Sequence, residues 1–156
     1  MREKKRGMRI EPIGRVICGF EDEIPKDYEN HISEVVISSE YSKALHRIEV
    51  NSHILVIFWM DRVEGKDRKT LRVHPKGRKD LPLMGVFATR SPMRPNPIGI
   101  RAVKLLGKEE NVLKVKGLDA LNGTPVLDIK PYSMKHDFVI NAKSPKWAKN
   151  TRPREE

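Results

Sequence analysis

Cysteine is almost absent from this sequence, since Cys18 is the only one among 156 residues. A single thiol excludes an internal disulfide and a zinc site built on cysteines, and it is typical of a reducing compartment. The five histidines show no metal-ligand spacing with acids or with Cys18. We therefore expect a cytoplasmic protein that holds no metal.

Long apolar runs are missing as well. The longest, Ile54 to Met60, is too short to cross a bilayer, so we expect no membrane span. The charged N-terminal residues have no apolar run behind them, so we also expect no signal peptide. The sequence lacks the glycine-rich G-x-G-x-x-G turn, a P-loop and the G-x-S-x-G nucleophile elbow. These absences argue against a doubly wound nucleotide fold and against a serine hydrolase.

Basic residues are in excess, because 31 Lys and Arg against 21 Asp and Glu give a formal net charge of +10. Such an excess attracts polyanions, chiefly nucleic acid or an anionic membrane surface. Residues 62–80 carry eight bases and three acids, and Arg90 to Lys104 carries four bases and no acid. The ion-pair networks of heat-stable proteins would mix the two signs. We therefore favour nucleic acid and expect residues 62–80 and Arg101–Lys104 to contact phosphates.

Short apolar segments indicate β-strands along most of the chain. The predicted strands are Ile10–Phe20, Ile32–Ile37, Ser52–Met60, Lys69–His74, Met84–Ala88, Ile98–Leu106, Val112–Lys116 and Val126–Ile129. At most one short helix, Glu40–His46 with Ser39 as its cap, interrupts them. Strands at this spacing predict an all-β fold, a compact single-domain β-barrel. We place the barrel at residues 10–132, between basic tails at 1–9 and 133–156.

The segment Ile54–Trp59 is apolar on both of its alternating faces. A strand buried on both sides is central in a sheet or lies between a core and a partner chain. Because a small barrel has only one interior, the second apolar face predicts a two-fold partner, and hence a homodimer.

The segment Met84–Gly99 reads MGVFATRSPMRPNPIG and contains three prolines. Proline fixes its own φ and restricts the residue before it, so the segment forms a stiff loop. A stiff loop that carries Arg90, Arg94 and Asn96 suits a site that presents polar groups in fixed positions. A rigid connection between strands, with solvated arginines, explains the same residues equally well.

The segment Asp119–Tyr132 reads DALNGTPVLDIKPY. Asn-Gly predicts a tight turn, and Asp119 can accept backbone N–H groups where the turn begins. A turn therefore explains this part without any function. It explains Asp128 and Tyr132 less well, because the acid interrupts an apolar strand, so we expect an acid that faces a cleft.

Together the two segments resemble the TrmO (YaeB, TsaA-like) family, in which G-V-F-A-T-R-S leads to R-P-N-P-I-G and D-x-x-x-G-T-P-V-x-D-I-K-P-Y follows. The resemblance extends to Ile13–Val16 and to Ser52-His53, and so covers roughly residues 10–132. It implies a dimeric β-barrel that binds S-adenosylmethionine near the subunit interface. The implied activity is methylation of N6 of threonylcarbamoyl-adenosine, next to the anticodon of certain tRNAs.

The resemblance also implies which residues form the site. Those that would lie along the cofactor or shape its pocket are Arg90, Arg94, Asn96, Ile100, Asp119, Ala120, Leu121 and Asn122. The proton that leaves N6 needs an acceptor, for which the candidates are Asp119, Asp128 and Tyr132. Catalysis without a dedicated base is the alternative.

The chain departs from the family in three places. It has Pro25-Lys26-Asp27 where members often have P-R-Q, Asp61-Arg62 where they often have His-Gln, and Asn122 where they have an acid. We also expect that the longer C-terminal extension of many members is absent. Two other functions therefore stay open: a non-catalytic RNA-binding β-barrel, and a cofactor-binding regulatory protein.

Overall fold

The computed structural model describes residues 7–148. Its eight strands are β1 (Gly14–Ile17), β2 (Ile32–Ile37), β3 (His53–Trp59), β4 (Arg72–Val73), β5 (Met84–Gly85), β6 (Ile98–Glu109), β7 (Val112–Lys116) and β8 (Pro125–Pro131). Six of them close a barrel in the order β1-β2-β7-β6-β3-β8, and β4 pairs with β5 in a separate two-stranded sheet. All the pairings are antiparallel. The predicted all-β barrel is therefore confirmed.

The prediction of at most one short helix is wrong. The described residues contain two four-residue α-helices, α1 (Gly65–Arg68) and α2 (Met134–Asp137). They also contain 3₁₀ segments, at Tyr28–Asn30, Ser39–Leu45, Ile48–Val50, Pro75–Gly77, Val86–Ala88 and Lys146–Ala148. The segment Ser39–Leu45 corresponds to the predicted helix Glu40–His46. The others are single turns, too short to show an amphipathic repeat in sequence, because a repeat needs several turns.

Other boundaries differ from the expectation for local reasons. The predicted cap is wrong, since Ser39 is the first helical residue and Ser38, at the cap position, makes no side-chain cap hydrogen bond. β6 is longer than predicted because it continues through Gly107, where the pairing with β7 shifts register after Leu105. A glycine in a strand pattern can mark such an irregularity as well as a strand end.

The barrel interior is filled by alternate residues of each strand. On β3 these are Ile54, Val56 and Phe58, which are 0–3% exposed. They pack in one cluster with buried residues of the other strands, among them Val103 and Val126. Full burial of an aliphatic or aromatic side chain contributes about 1.5–3 kcal/mol. The core therefore fixes which face of each strand is turned inwards.

The other face of β3, with its two neighbours, forms a surface that we call the outer face. It consists of His53, Leu55, Ile57 and Trp59 of β3, Ile98, Ile100 and Ala102 of β6, and Asp128 and Lys130 of β8. Ile98 and Ile100 are 40% and 46% exposed. The two-sided apolar character predicted for β3 is thus present in the fold, and the homodimer stays a prediction.

The predicted tails are only partly within the described residues. Residues 1–6 and 149–156 lie outside them. Between Ser133 and Ala148 the chain forms α2 and the 3₁₀ turn Lys146–Ala148. Within residues 7–148, no helix has the length and apolar character needed to cross a membrane.

Gly99 of the R-P-N-P-I-G segment faces the barrel interior opposite Phe58. A Cβ at this position would come within 2.4 Å of two carbons of the Phe58 ring. Real Cβ contacts are much longer, so the ring leaves room for a hydrogen atom only. This glycine is therefore required by packing, whatever its neighbours do in the site.

Gly99→Ala should lower the free energy of unfolding by about 1–3 kcal/mol, because an overpacked core must displace Phe58. Urea denaturation at equilibrium measures this change. Gly107→Ala on the same strand is the matched control, because a Cβ there meets nothing within 4 Å, and it should be neutral or slightly stabilising. Equal stability of the two variants would contradict the packing role of Gly99.

Candidate active site

The two motif segments meet at the end of β3. The Met60 amide donates to the Pro97 carbonyl at 2.8 Å, which joins this end to the proline-rich loop. Arg62 donates through Nη2 to the Asn122 carbonyl at 3.2 Å and through Nη1 to the Glu21 carbonyl. Residues 60–62 therefore connect the proline-rich loop to the turn that contains Asn122.

The turn Asp119–Asn122 follows β7 through Gly117, whose φ of +91° suits glycine. Leu118 and Ala120 are 1% and 2% exposed and belong to the core. The Ala120 carbonyl accepts the Cys18 thiol at 3.5 Å. Asp119 and Leu121 are half-buried and alternate with the buried pair. The core thus anchors the turn and leaves Asp119 and Leu121 partly accessible.

Both the oxygen and the nitrogen of the Asn122 side-chain amide form hydrogen bonds. Its Oδ1 accepts the Cys18 amide at 3.1 Å, and its Nδ2 donates to Glu21 Oε1 at 2.9 Å. Its backbone amide donates to the Phe20 carbonyl at 2.7 Å. The side chain therefore fixes the turn against residues 18–21, and a cofactor contact from Asn122 stays a prediction.

The loop from Thr89 to Pro97 is pinned by side chains as well as by its prolines. Arg94 Nη1 donates to the Thr89 and Ser91 carbonyls at 3.2 and 3.1 Å. The Ser91 amide donates to Thr89 Oγ1, and the Met93 amide to Ser91 Oγ, both at 3.2 Å. The guanidinium of Arg94 thus holds the backbone around Arg90, and its predicted place in the cofactor pocket stays a prediction.

Arg68 is a site residue that the sequence did not single out. Its Nε donates to the Pro95 carbonyl at 2.9 Å, and its guanidinium lies 5.3 Å from the Trp59 ring centroid. It therefore fixes the loop to the outer face. Within a run of basic residues, no local signal distinguishes an arginine with internal partners from a solvated one.

Arg90 and Asn96 are exposed and line two different cavities. Arg90 lies on a cavity of about 720 Å³ formed with residues 70–79 and Trp147. Asn96 lines a cavity of about 430 Å³ beside Trp59 and Ile98. Ile100 lies on the outer face next to Ile57. The structure thus distributes the predicted cofactor residues around the outer face and the loop beside it.

The candidate proton acceptors do not form one cluster. Asp128 lies on the outer face opposite Ile57, with Oδ2 3.0 Å from Lys130 Nζ and Oδ1 accepting the Ile129 amide. Tyr132, whose amide donates to the His53 carbonyl, is four residues further on, a distance of about 13 Å in a strand. Since strands lie about 4.8 Å apart, Asp128 is about 10 Å from Ile100 across Ile57. All three acceptor roles stay predictions.

Arg101 does not have the phosphate-contacting role predicted for it. It is paired with Val56 on the inward side of β6, and its side chain is 18% exposed. Nη2 lies 3.0 Å from Glu29 Oε1, and the guanidinium lies 4.9 Å from the Tyr28 ring centroid. Arg101 therefore joins the barrel to the 3₁₀ turn Tyr28–Asn30.

Seven of the eight bases of residues 62–80 divide into two groups. Some have partners in the protein: Arg62 and Arg68 as described, Lys66 with Glu64, and Arg78 with Asp80. The hydrogen bond from Arg78 lowers the pKa of the Asp80 carboxyl. Arg72, Lys76 and Lys79 instead line the larger cavity with Arg90. Among the described residues, no group of three or more His, Cys, Asp and Glu is arranged to hold a metal ion.

Residues 21–138 match the model of the tRNA-methyltransferase O N-terminal domain. The chain is 46% identical to the S-adenosyl-L-methionine-binding protein of Archaeoglobus fulgidus, over 85% of this chain and 94% of that one. It is 36% identical to a putative S-adenosylmethionine-dependent methyltransferase, RcsF, of Pseudomonas aeruginosa, over 85% of this chain and 58% of RcsF.

The fold also matches solved structures. The crystal structure of TrmO from Pseudomonas aeruginosa superposes with a TM-score of 0.70 at 30% identity, covering 88% of this chain and 61% of that one. The chain thus spans less than two thirds of the solved protein. The family predicted from the two motifs is confirmed by these matches.

Arg94→Lys should loosen the loop, because Nη1 donates to both carbonyls and the lysine ammonium lies one bond closer to the backbone and is more strongly hydrated. Hydrogen exchange of the amides from Thr89 to Met93 should become faster, while exchange in the barrel strands stays unchanged. Arg90→Lys is the matched control, since Arg90 is exposed at the loop surface. Equal exchange in both variants would show that Arg94 does not hold the loop.

Proposed function

The chain belongs to the TrmO family, and on that premise we propose that it is an S-adenosylmethionine-dependent methyltransferase that methylates N6 of threonylcarbamoyl-adenosine next to the anticodon of tRNA. The observation that carries the proposal is the meeting of the two motif segments at the end of β3. A tRNA substrate places the enzyme in the cytoplasm.

The residues at this end fit the cofactor by their chemistry. The ammonium and ribose hydroxyls of S-adenosylmethionine need acceptors, and Asp119 offers a half-buried carboxylate. The adenine of the cofactor needs apolar surface, which Ile98 and Ile100 offer on the outer face.

In catalysis the protein mainly positions the reacting groups and shields them from water. When bound, the cofactor supplies a methyl group that is already activated on a sulfonium. The prolines and Arg94 hold the loop in place, so that Arg90 loses little freedom when a ligand binds. The apolar outer face excludes water from the reacting atoms. One of Asp119, Asp128 and Tyr132 takes the proton that leaves N6.

The substrate modification matches the charge of the loop. Threonylcarbamoylation adds a ureido group and a carboxylate beside N6, and an arginine binds a carboxylate through two parallel hydrogen bonds. Arg90 and Asn96 are the exposed polar groups of the loop. We therefore assign them to the carboxylate and ureido group, with Arg94 holding the backbone between them.

A homodimer completes the site. The outer face is apolar at its centre, with Leu55, Ile57 and Ile100 between charged residues at its edge. A two-fold partner is the commonest cover for such a face. The partner would lie against Ile100 and so close the cofactor site from above.

The names of the archaeal relatives favour a second function. The protein of Archaeoglobus fulgidus is named for binding S-adenosyl-L-methionine alone. A cofactor-binding regulatory protein would bind S-adenosylmethionine and transfer no methyl group. A non-catalytic RNA-binding barrel would bind RNA and no cofactor.

Methyl transfer should depend on prior threonylcarbamoylation, because the loop recognises the carboxylate. The enzyme is incubated with labelled S-adenosylmethionine and tRNA purified from cells, and separately with unmodified transcript. Nucleoside mass spectrometry should detect the methylated threonylcarbamoyl-adenosine in the first reaction only, and Arg90→Ala should abolish it. Equal methylation of the transcript would remove the proposed specificity. Cofactor binding by calorimetry without any transfer would favour the regulatory protein.

The dimer prediction is tested by mass in solution. Light scattering at micromolar concentration should give about 36 kDa, twice the 18.0 kDa of the chain. Leu55→Arg on the outer face should give the monomer mass, because its neighbours across the sheet are Ala102 and Lys130, and an unpaired charge would be buried in the interface. Ile32→Arg is the control, since Ile32 is 55% exposed on β2. A wild-type monomer would refute the prediction.

A further inference from the structure

The charged residues that line the cavity beside Arg90 are all basic. We call it the tryptophan cavity; Arg72, Lys76, Lys79, Arg90, Met93 and Trp147 are among its lining residues. None of the described residues that line it is acidic. Its volume of about 720 Å³ falls within the range of small-ligand sites, about 300–1,000 Å³. The cavity therefore suits an anion that also carries an apolar or aromatic part.

The aromatic wall comes from outside the family domain. The match to the domain ends at residue 138, and Trp147 lies in the 3₁₀ turn Lys146–Ala148 beyond it. Trp147 is half-buried and lines the cavity with Met93 and Pro92. A half-buried indole beside a methionine offers a planar ligand a stacking surface.

One of the cationic side chains is held on a strained backbone. Lys76 has a φ of +56° and Gly77 a φ of +66°. The left-handed region is uncommon for a residue with a side chain, and such outliers concentrate at ligand sites. Gly77 adopts this conformation without strain, whereas Lys76 does not. The strain is an observation independent of the charge, and it supports a binding role for this turn.

We propose that the tryptophan cavity binds one unstacked nucleotide of the RNA substrate, with its base on Trp147 and its phosphate at Arg72, Lys76 and Lys79. This inference rests on the proposed function, since it names the part of the site that holds the RNA. Proteins bind single-stranded RNA by combining an aromatic platform with cations along the backbone. Both components line this one cavity.

The cofactor fits this cavity less well than a nucleotide does. S-adenosylmethionine carries a sulfonium and an ammonium, which a wall of cations repels. Its hydroxyls and ammonium need the acceptor that Asp119 provides in the turn after β7. Arg90 lines the tryptophan cavity and lies on the same loop as Pro97, whose carbonyl joins that loop to Met60 at the end of β3.

The test measures RNA affinity by the anisotropy of a labelled five-nucleotide single-stranded RNA. Trp147→Ala should weaken binding on the order of tenfold, the effect expected for one lost stacking contact. Trp147→Phe should retain most of the affinity, because phenylalanine keeps a stacking ring. Quenching of tryptophan fluorescence by the RNA should be present in the wild type and largely lost in Trp147→Phe, which locates the base. Wild-type affinity in Trp147→Ala would overturn the proposal.

A charge-matched pair of variants tests the phosphate contacts. Lys76→Gln with Lys79→Gln should weaken binding and flatten the log–log salt slope by up to about 0.7, the contribution of one neutralised phosphate on a single strand. Lys114→Gln with Lys116→Gln removes the same charge from exposed positions on β7 and should leave the slope nearly unchanged. Equal effects of the two pairs would overturn the proposal.

Two further ligands separate this inference from the proposed function. Adenosine 5′-monophosphate that binds as tightly as the RNA would show a free-nucleotide site and overturn it. S-adenosylmethionine that quenches Trp147 and displaces the RNA would show that the cavity is the cofactor site, which overturns it as well. If the RNA binds through Trp147 and the protein binds no cofactor, the result supports the proposed RNA site and contradicts the proposed methyltransferase function.

Discussion

The contact between the Phe58 ring and Gly99 fixes the register between β3 and β6, and the position of the site depends on it. A slip of one residue would turn every side chain of a strand to the opposite face. The Phe58 ring fits at this point only opposite a residue that has no side chain, and Gly99 is opposite it in one register of β3 and β6 only. With that pairing set, Ile98 and Ile100 lie outside beside Trp59 and Ile57. The same contact that closes the core therefore builds the outer face.

The arginines of the site divide into those that hold the structure and those that stay accessible. Arg62, Arg68 and Arg94 donate to backbone carbonyls of the loops. A carbonyl bonded to a guanidinium keeps its loop in one position, and the rigid loop then presents Arg90. Rigid support of this kind reduces the entropy that a ligand loses on binding. Some of the excess basic residues therefore stabilise the loops, and others stay accessible for electrostatic contacts with a ligand.

Much of the fold could be predicted from sequence, because the barrel strands carry alternating apolar residues. β2 matches its predicted bounds, and β3 differs from its prediction by one residue at each end. The helix predicted at Glu40–His46 corresponds to the 3₁₀ helix Ser39–Leu45, whereas the shorter helical turns could not be predicted, since one turn has no periodicity. The inward direction of Arg101 could not be predicted either. Arg101 alternates with Val103, but the opposite face of β6, with Ile98 and Ile100, is equally apolar in sequence. The pairing with Val56 shows which face is turned to the core, and pairing is a long-range property.

The site was predicted as a set of residues but not as an arrangement. The motifs identified the loop and the turn, and the stiffness of the loop followed from its prolines. Arg94 faces carbonyls three and five residues away in its own loop, and the residue types alone do not show whether it turns to them or to solvent. That Arg90 lines a cavity with Trp147 depends on residues 57 positions apart in the chain. No local pattern contains this information. Trp147 in particular lies in a segment that showed no regular pattern.

The hydrogen bond between Asn122 and Glu21 has a consequence for how this chain can diverge. The two residues are 101 positions apart in sequence, yet the amide Nδ2 of one is a donor to the carboxylate of the other. An acid at position 122 would set two carboxylates against each other. The two positions are therefore energetically coupled, and the cost of one substitution depends on the other. A lineage can acquire the acid without loss only after Glu21 has been replaced, so the order of the two substitutions is constrained.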